Sequence, residues 1–185
     1  MKNIYICGIP RSGKTTLSKK IKEIYPQYNL FSFEAIRNGF IESQPELNME
    51  NRNSVARKEI LPKHFITFAE WNYKITGNPS LIEGSFCNIK KLNELVNDDS
   101  IIICLGLGCI DIDSFSNNII KYDSESDYTK KWSLNKIKNH FNDQYEIDRF
   151  NYEYCKCNNI KYYNTNIDRE KIITKILEEI KAYCE

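Results

Sequence analysis

Gly8-Ile9-Pro10-Arg11-Ser12-Gly13-Lys14-Thr15 fits the pattern G-x-x-x-x-G-K-[ST]. A short apolar run of β-type residues, Asn3 to Cys7, precedes it, and the helix-compatible stretch Lys14-Thr15-Thr16-Leu17-Ser18-Lys19-Lys20-Ile21 follows. Strand, glycine loop and helix, in that order, give such a pattern physical meaning. Without a Cβ at Gly8 and Gly13 the loop can wrap close to a phosphate. Successive N–H groups then form an anion nest, reinforced by the positive end of the helix that begins there. Gly8, Pro10, Arg11, Ser12, Gly13, Lys14, Thr15 and Thr16 are therefore the expected nucleotide-binding residues. Lys14 is expected to face solvent and neutralise β/γ-phosphate charge, and the Thr15 hydroxyl to take one position on Mg²⁺.

The chain has 185 residues, of which 41% are hydrophobic and 28% charged, ordinary proportions for one globular domain. Its net charge of +1 argues against a broad electrostatic grip on nucleic acid. No signal-peptide pattern opens it, and its longest apolar run, Ile101 to Ile110, is too short for a bilayer, so a soluble, cytoplasmic protein is expected. The seven cysteines are odd in number and several sit in apolar runs, which reads as reduced thiols. Cys155-Lys156-Cys157 lacks a second ligand pair nearby, and His64 and His140 stand alone, so no metal centre is expected from them.

Strand-like runs continue at Asn29 to Phe33, Ser80 to Gly84, Ser100 to Leu107 and Ile160 to Tyr163. Helical periodicity occupies the intervals. The first helix stops at Pro26, and Ser54 to Lys74 is divided near Pro62, with Ile60, Phe65, Phe68, Trp71 and Tyr73 assigned mostly to the core. Asn88 to Val96 reads as a short helix, and Asp111 to Trp132 as a polar, mobile flap. Ser133 is expected to cap a long helix with a stripe of Leu134, Ile137, Phe141, Tyr145 and Phe150, and Asp168 to cap the last helix. Alternating strands and helices predict an α/β fold with three layers, a five-stranded parallel sheet flanked by helices. Right-handed crossovers would bring Gly8, Glu34 and Glu83 to one sheet edge, where a ligand crevice belongs.

The loop Gly8 to Thr16, the stretch Phe31-Ser32-Phe33-Glu34-Ala35-Ile36-Arg37 and the strand Leu81-Ile82-Glu83-Gly84 occur in the order seen in small P-loop kinases. The chain resembles that broad group, which includes nucleoside monophosphate kinases, shikimate and gluconate kinases and polynucleotide 5′-kinases. The resemblance implies a single kinase domain over residues 1–185 that uses ATP and Mg²⁺. Residues 34–78 would cover the acceptor and 107–132 would act as a lid. In the group the second strand often ends in an acidic residue followed three positions later by arginine, and Glu34 and Arg37 hold those positions here. A carboxylate there orients or deprotonates an acceptor hydroxyl, and a cation steadies the developing charge, which makes Lys14, Glu34 and Arg37 the catalytic candidates. A capping glutamate with an exposed i,i+3 pair would look the same in sequence. Glu83 resembles the family's strand-end acid that holds a metal-bound water or contacts substrate, so Thr15 and Glu83 are the candidates for Mg²⁺.

Arg52, Arg57 and Lys58 are candidate cations over the acceptor, with Lys121, Lys130 and Lys131 in the lid and Arg149 on the following helix. The segment Asp111 to Trp132 contains no arginine and several acids, unlike the arginine-rich lids of nucleoside monophosphate kinases. The D-G-x-P-R sequence after the third strand is also absent, since Gly84-Ser85-Phe86-Cys87 follows Glu83. These readings predict transfer of the ATP γ-phosphate to a small-molecule, nucleoside or nucleotide acceptor. A 5′-hydroxyl polynucleotide kinase and a non-catalytic nucleotide-binding protein are the alternatives.

Overall fold

A computed structural model describes residues 1–185 apart from 52, 86–88, 98, 109, 124, 126 and 185. Arg52, Phe86, Cys87, Asn88, Cys109, Ser124 and Ser126, which bear on the sequence reading, lie outside the described residues. Five parallel strands form one sheet: β1 Asn3–Gly8, β2 Asn29–Ser32, β3 Ser80–Glu83, β4 Ser100–Gly106 and β5 Lys161–Asn164, in the spatial order β2-β3-β1-β4-β5. The helices are α1 Lys14–Ile24, α2 Phe33–Ser43, α3 Leu61–Thr76, α4 Ile89–Leu95, α5 Ile112–Tyr122, α6 Leu134–Cys157 and α7 Arg169–Cys184.

The period-2 alternation of a strand explains how β1 serves both layers. Ile4 and Ile6 pack with Leu17 and Ile21 of α1 and Ile173, Ile176 and Ile180 of α7. Tyr5 and Cys7 face the other way, onto Phe33, Phe65 of α3, Ile89 and Leu92 of α4 and Cys155 of α6. Both faces are covered, so the central strands are continuous apolar runs rather than alternating ones. In the parallel register Ile6 pairs with Glu83 and Gly8 with Leu105, which brings the loop after β1 and the end of β3 to the same edge. Gly8 sits at φ +134°, and a Cβ there would collide with the Leu105 backbone, so only glycine lets the chain leave β1 at that point.

The expected α/β architecture is present, with local differences. Glu34 is not at the end of a strand: β2 stops at Ser32, whose hydroxyl accepts from Ala35 N, and Glu34 lies in the first turn of α2. A serine N-cap two residues before Glu34 ends the ladder sooner than the apolar run Phe31-Ser32-Phe33 implied. The stretch before Pro62 is divided as expected, into a π-helical turn Ala56–Ile60 and then α3. Most of the side chains assigned to the core there are not core, however. Phe65 is buried, but Ile60, Phe68, Trp71 and Tyr73 are exposed, because α3 buries Leu61, Phe65, Ile66 and Ala69 on the opposite face.

The polar segment 111–132 is not simply a flap. Asp111 accepts from Asp113 N and Ser114 N and starts the 11-residue helix α5, whose Ile119 packs against Ile137 and Phe141. Asp123, Thr129 and Ser116 are buried. Ser133 does cap α6, accepting from Lys136 N at 3.3 Å, and the Asp168 side chain accepts from Lys171 N at 3.0 Å ahead of α7. The buried face of α6 is Ile137, Phe141, Gln144, Asp148, Asn151 and Cys155, whereas the expected stripe member Phe150 is 49% exposed.

Candidate active site

The loop between β1 and α1 is held from outside by its carbonyls. Ile9 O accepts from the Ser12 hydroxyl at 2.8 Å and from Lys14 Nζ at 2.7 Å. Arg11 O accepts from Arg169 Nη2 at 3.0 Å, and Ser12 O from the Thr165 hydroxyl at 2.9 Å. Three loop carbonyls are thus occupied, and Ser12 N also donates to Ile9 O at 3.4 Å; the remaining N–H groups of such a loop are the donors an anion would meet. That cleft has a volume of about 900 Å³ and is lined by Gly8, Pro10, Arg11, Gly13, Lys14, Thr15 and Thr16 from the loop. Ser12 is fully buried and its side chain serves the loop's own geometry.

Lys14 differs from expectation: it is only 8% exposed rather than solvent-facing, because its ammonium folds back onto Ile9 O. Burial lowers its pKa, and the carboxylates of Glu34 and Glu83 partly offset that. Glu83 is 7% exposed, and its Oε2 lies 3.4 Å from the Thr15 hydroxyl that donates to it. Burial and the neighbouring Glu34 raise the Glu83 pKa against the opposing pull of Lys14 and Thr15. Glu34 Oε1 accepts from Ser85 N at 2.7 Å, and the same carboxylate lies against Gly84 so closely that a Cβ there would not fit. Glu34, Glu83, Lys14 and Thr15 thus converge on one edge of the sheet.

Arg37 also lines the cleft, but its guanidinium turns to Asn38 Oδ1, at 2.9 Å from Nη2, and makes no ion pair with Glu34. Arg57 and Lys58 of the π-helical turn line the same space. Lys121, Lys130, Lys131 and Arg149 do not: Lys130 donates to Asp123 O, and Arg149 pairs with Glu146.

Sequence reasoning missed the opposite wall. His140, Gln144, Ile147 and Asn151 of α6, Ser85, and Arg169 at the start of α7 all face the cleft. A strict 3.6-residue count from Ile137 would have found Gln144, Asp148 and Asn151, since polar residues on a buried face mark a site or a network. Asp148 accepts from Leu107 N at 2.8 Å, Gly108 N at 3.0 Å and the Tyr162 hydroxyl at 2.9 Å, fixing the turn after β4. Among the described residues, Asp148 Oδ1 and Asn151 Oδ1 are buried without a hydrogen-bond partner.

The donor set fits a hard cation. Magnesium takes one or two protein oxygens and keeps water and phosphate for the rest, which matches a threonine hydroxyl beside a buried carboxylate. A cation there also relieves the proximity of Glu34 and Glu83. Among the described residues, no cluster of three or more His, Cys, Asp and Glu side chains forms a closed metal cage.

This parallel sheet with a glycine loop at its edge is a P-loop fold. The fold is similar to that of solved shikimate kinases. That from Bacteroides thetaiotaomicron superposes with a TM-score of 0.64 at 13% identity, covering 97% of this chain and 98% of that one. A shikimate kinase from Acinetobacter baumannii, solved in complex with shikimate, gives a TM-score of 0.59 at 14% identity, over 98% and 94% of the two chains. The Aquifex aeolicus enzyme gives 0.52 at 13% identity, over 97% and 96%. No protein-family model and no curated protein sequence matches the chain. Among the described residues no helix is long and apolar enough to cross a membrane.

Proposed function

We propose that the chain is a Mg²⁺-dependent phosphotransferase that moves the γ-phosphate of ATP to a small-molecule or nucleoside/nucleotide acceptor. The observation that carries this is the convergence of Lys14, Thr15, Glu34 and Glu83 on the cleft that opens beside the Gly8–Thr16 loop. The loop N–H groups and Lys14 hold the polyphosphate, and Thr15 and Glu83 hold Mg²⁺ directly or through its water. When bound, the ion neutralises charge on the phosphoryl oxygens. Glu34, fixed by Ser85 N, orients the acceptor hydroxyl and takes its proton, and Arg37 leaves Asn38 to meet charge on the acceptor side.

In this reading residues 1–185 form one kinase domain. The segment 34–78 covers the acceptor and 107–132 acts as the lid. The acceptor occupies the space between Glu34, Arg37, Arg57 and Lys58 on one side and Gln144, Ile147 and Asn151 on the other. The test is ADP release from MgATP with and without a panel of hydroxyl-bearing metabolites. One or more acceptors should raise the rate well above the water background. A chain that binds MgATP and shows no acceptor-dependent ADP release is a binding module instead.

A further inference from the structure

One residue of the phosphate loop is held by the segment between α5 and α6. Arg11 Nη2 lies 2.5 Å from Asp123 Oδ1 and 2.9 Å from the Thr129 hydroxyl, and Nη1 lies 3.2 Å from Asp127 Oδ1. The Thr129 hydroxyl donates to the other Asp123 oxygen, and Lys130 Nζ donates to the Asp123 carbonyl at 3.0 Å. Asp123 and Thr129 are buried, whereas the Arg11 and Asp127 side chains keep 26% and 30% of their surface. The Arg11 backbone is fixed as well, at φ +67°, a left-handed conformation unfavourable for a side-chain-bearing residue.

Two acids on one guanidinium are one more than neutrality requires, and they are not equivalent. Asp123 is buried and bonded on all sides, so it sets where the guanidinium points. Asp127 sits at the rim of the cleft that Arg11 also lines. Arginine carries four N–H donors on its two terminal nitrogens; Nη2 spends two on Asp123 and Thr129 and Nη1 spends one on Asp127, so one Nη1 donor remains on a side chain that is 26% exposed. The segment 111–132 contains three lysines, five acids and no arginine. The guanidiniums that a polyphosphate meets along the loop are therefore Arg11 of the loop itself and Arg169, which donates to Arg11 O, and neither comes from that segment.

We propose that Arg11 is a polyphosphate-contacting cation of this site, that Asp123 and Thr129 are its positioning residues, and that Asp127 is the contact a nucleotide's phosphates displace. The lid contributes acids that aim an arginine of the loop, in place of arginines of its own. This rests on the nucleotide-binding reading above.

The test is the affinity of the full-length protein for MgATP, measured by titration calorimetry, with the fold of each variant checked by its melting transition. Arg11→Gln should weaken MgATP binding roughly 10–100-fold, the loss expected for charge-assisted hydrogen bonds. Asp123→Asn should weaken it in the same direction, and Asp127→Asn should strengthen it about 2–5-fold by removing a competing rim charge. In an Arg11→Gln background both aspartate changes should have no further effect. Should Asp123→Asn fail to fold, Thr129→Val removes one buried acceptor without touching the charge and should weaken binding in its place. Unchanged affinity in Arg11→Gln, or weaker binding in Asp127→Asn, overturns the proposal; a purely structural ion pair does not produce the opposite signs. If the wild type does not bind MgATP, the nucleotide reading itself falls. If it binds, and Lys14→Met abolishes binding while Arg11→Gln does not weaken it, only the arginine assignment falls.

Discussion

Glu83 is placed where a carboxylate is costly to keep charged, at the end of an apolar strand, 7% exposed and beside Glu34. Its pKa is raised above the ordinary 4.5, so the folded state binds its proton more tightly than the unfolded chain does. That contribution to stability is fully present below about pH 4.5 and is lost as the pH rises through the folded value. Glu83→Gln should therefore raise the melting temperature at pH 7.5, and the gain should shrink towards zero as the pH falls to 4.5, as followed by thermal melts across that range. The same change should impair Mg²⁺-dependent turnover. Lys14 carries the matching cost with the opposite charge, since burial lowers its pKa. Ile9 O keeps the Ser12 hydroxyl as a donor when Lys14 is removed. Lys14→Met should therefore fold with an equal or higher melting temperature, yet lose MgATP binding, a pair of results readable from one melt with and without nucleotide.

Helix α6 shows what an element contributes beyond its residues one by one. Its N-cap at Ser133 and its apolar start at Ile137 and Phe141 are legible in the sequence, because serine before an apolar 3.6-residue pattern has one dominant meaning. Its second half is not. There the buried positions are Gln144, Asp148 and Asn151, and Phe150 points out, because the helix crosses the sheet edge, where backbone N–H groups need acceptors. A hydrophobicity count assigns the aromatic to the core and the aspartate to solvent, and tertiary hydrogen bonding reverses both. The aromatics of α3 mislead in the same way, as its buried face is made of Leu61, Phe65, Ile66 and Ala69. Asp148→Leu should leave Leu107 N and the Tyr162 hydroxyl without their acceptor, and Gly108 N with only the Tyr162 oxygen at 3.2 Å. The expected cost is about 2–4 kcal/mol, or a melting temperature lower by roughly 5–15 °C. Asp148→Asn, which keeps one acceptor oxygen, should lose less than half of that in the same melt.

At the scale of the whole molecule, the sheet order β2-β3-β1-β4-β5 puts the loop strand at the centre, with the strand that ends in Glu83 beside it. The parallel five-stranded sheet, and Gly8 and Glu83 at one of its edges, followed from the glycine loop, the alternation of strands with helices and the handedness of crossovers; the strand order itself came only with the structure. The second wall was not read: Gln144 and Asn151 emerge only from a 3.6-residue count along α6, and Arg169 and the Asp123 that meets Arg11 lie far from the loop in the chain and carry no motif. Glu34 joins the two levels: its side chain is anchored by Ser85 N from the turn after β3, so it depends on the sheet's assembly and not on α2 alone. The central claim is that this assembly transfers a phosphoryl group instead of only holding a nucleotide. The direct measurement is the fate of the labelled γ-phosphate of ATP, partitioned between acceptor and water in the wild type and in Glu34→Gln. The account predicts label in an acceptor for the wild type and a loss of roughly 10²–10⁴-fold in that transfer for Glu34→Gln, with ATP affinity nearly unchanged. Label appearing only in inorganic phosphate, or transfer that survives Glu34→Gln undiminished, would contradict it.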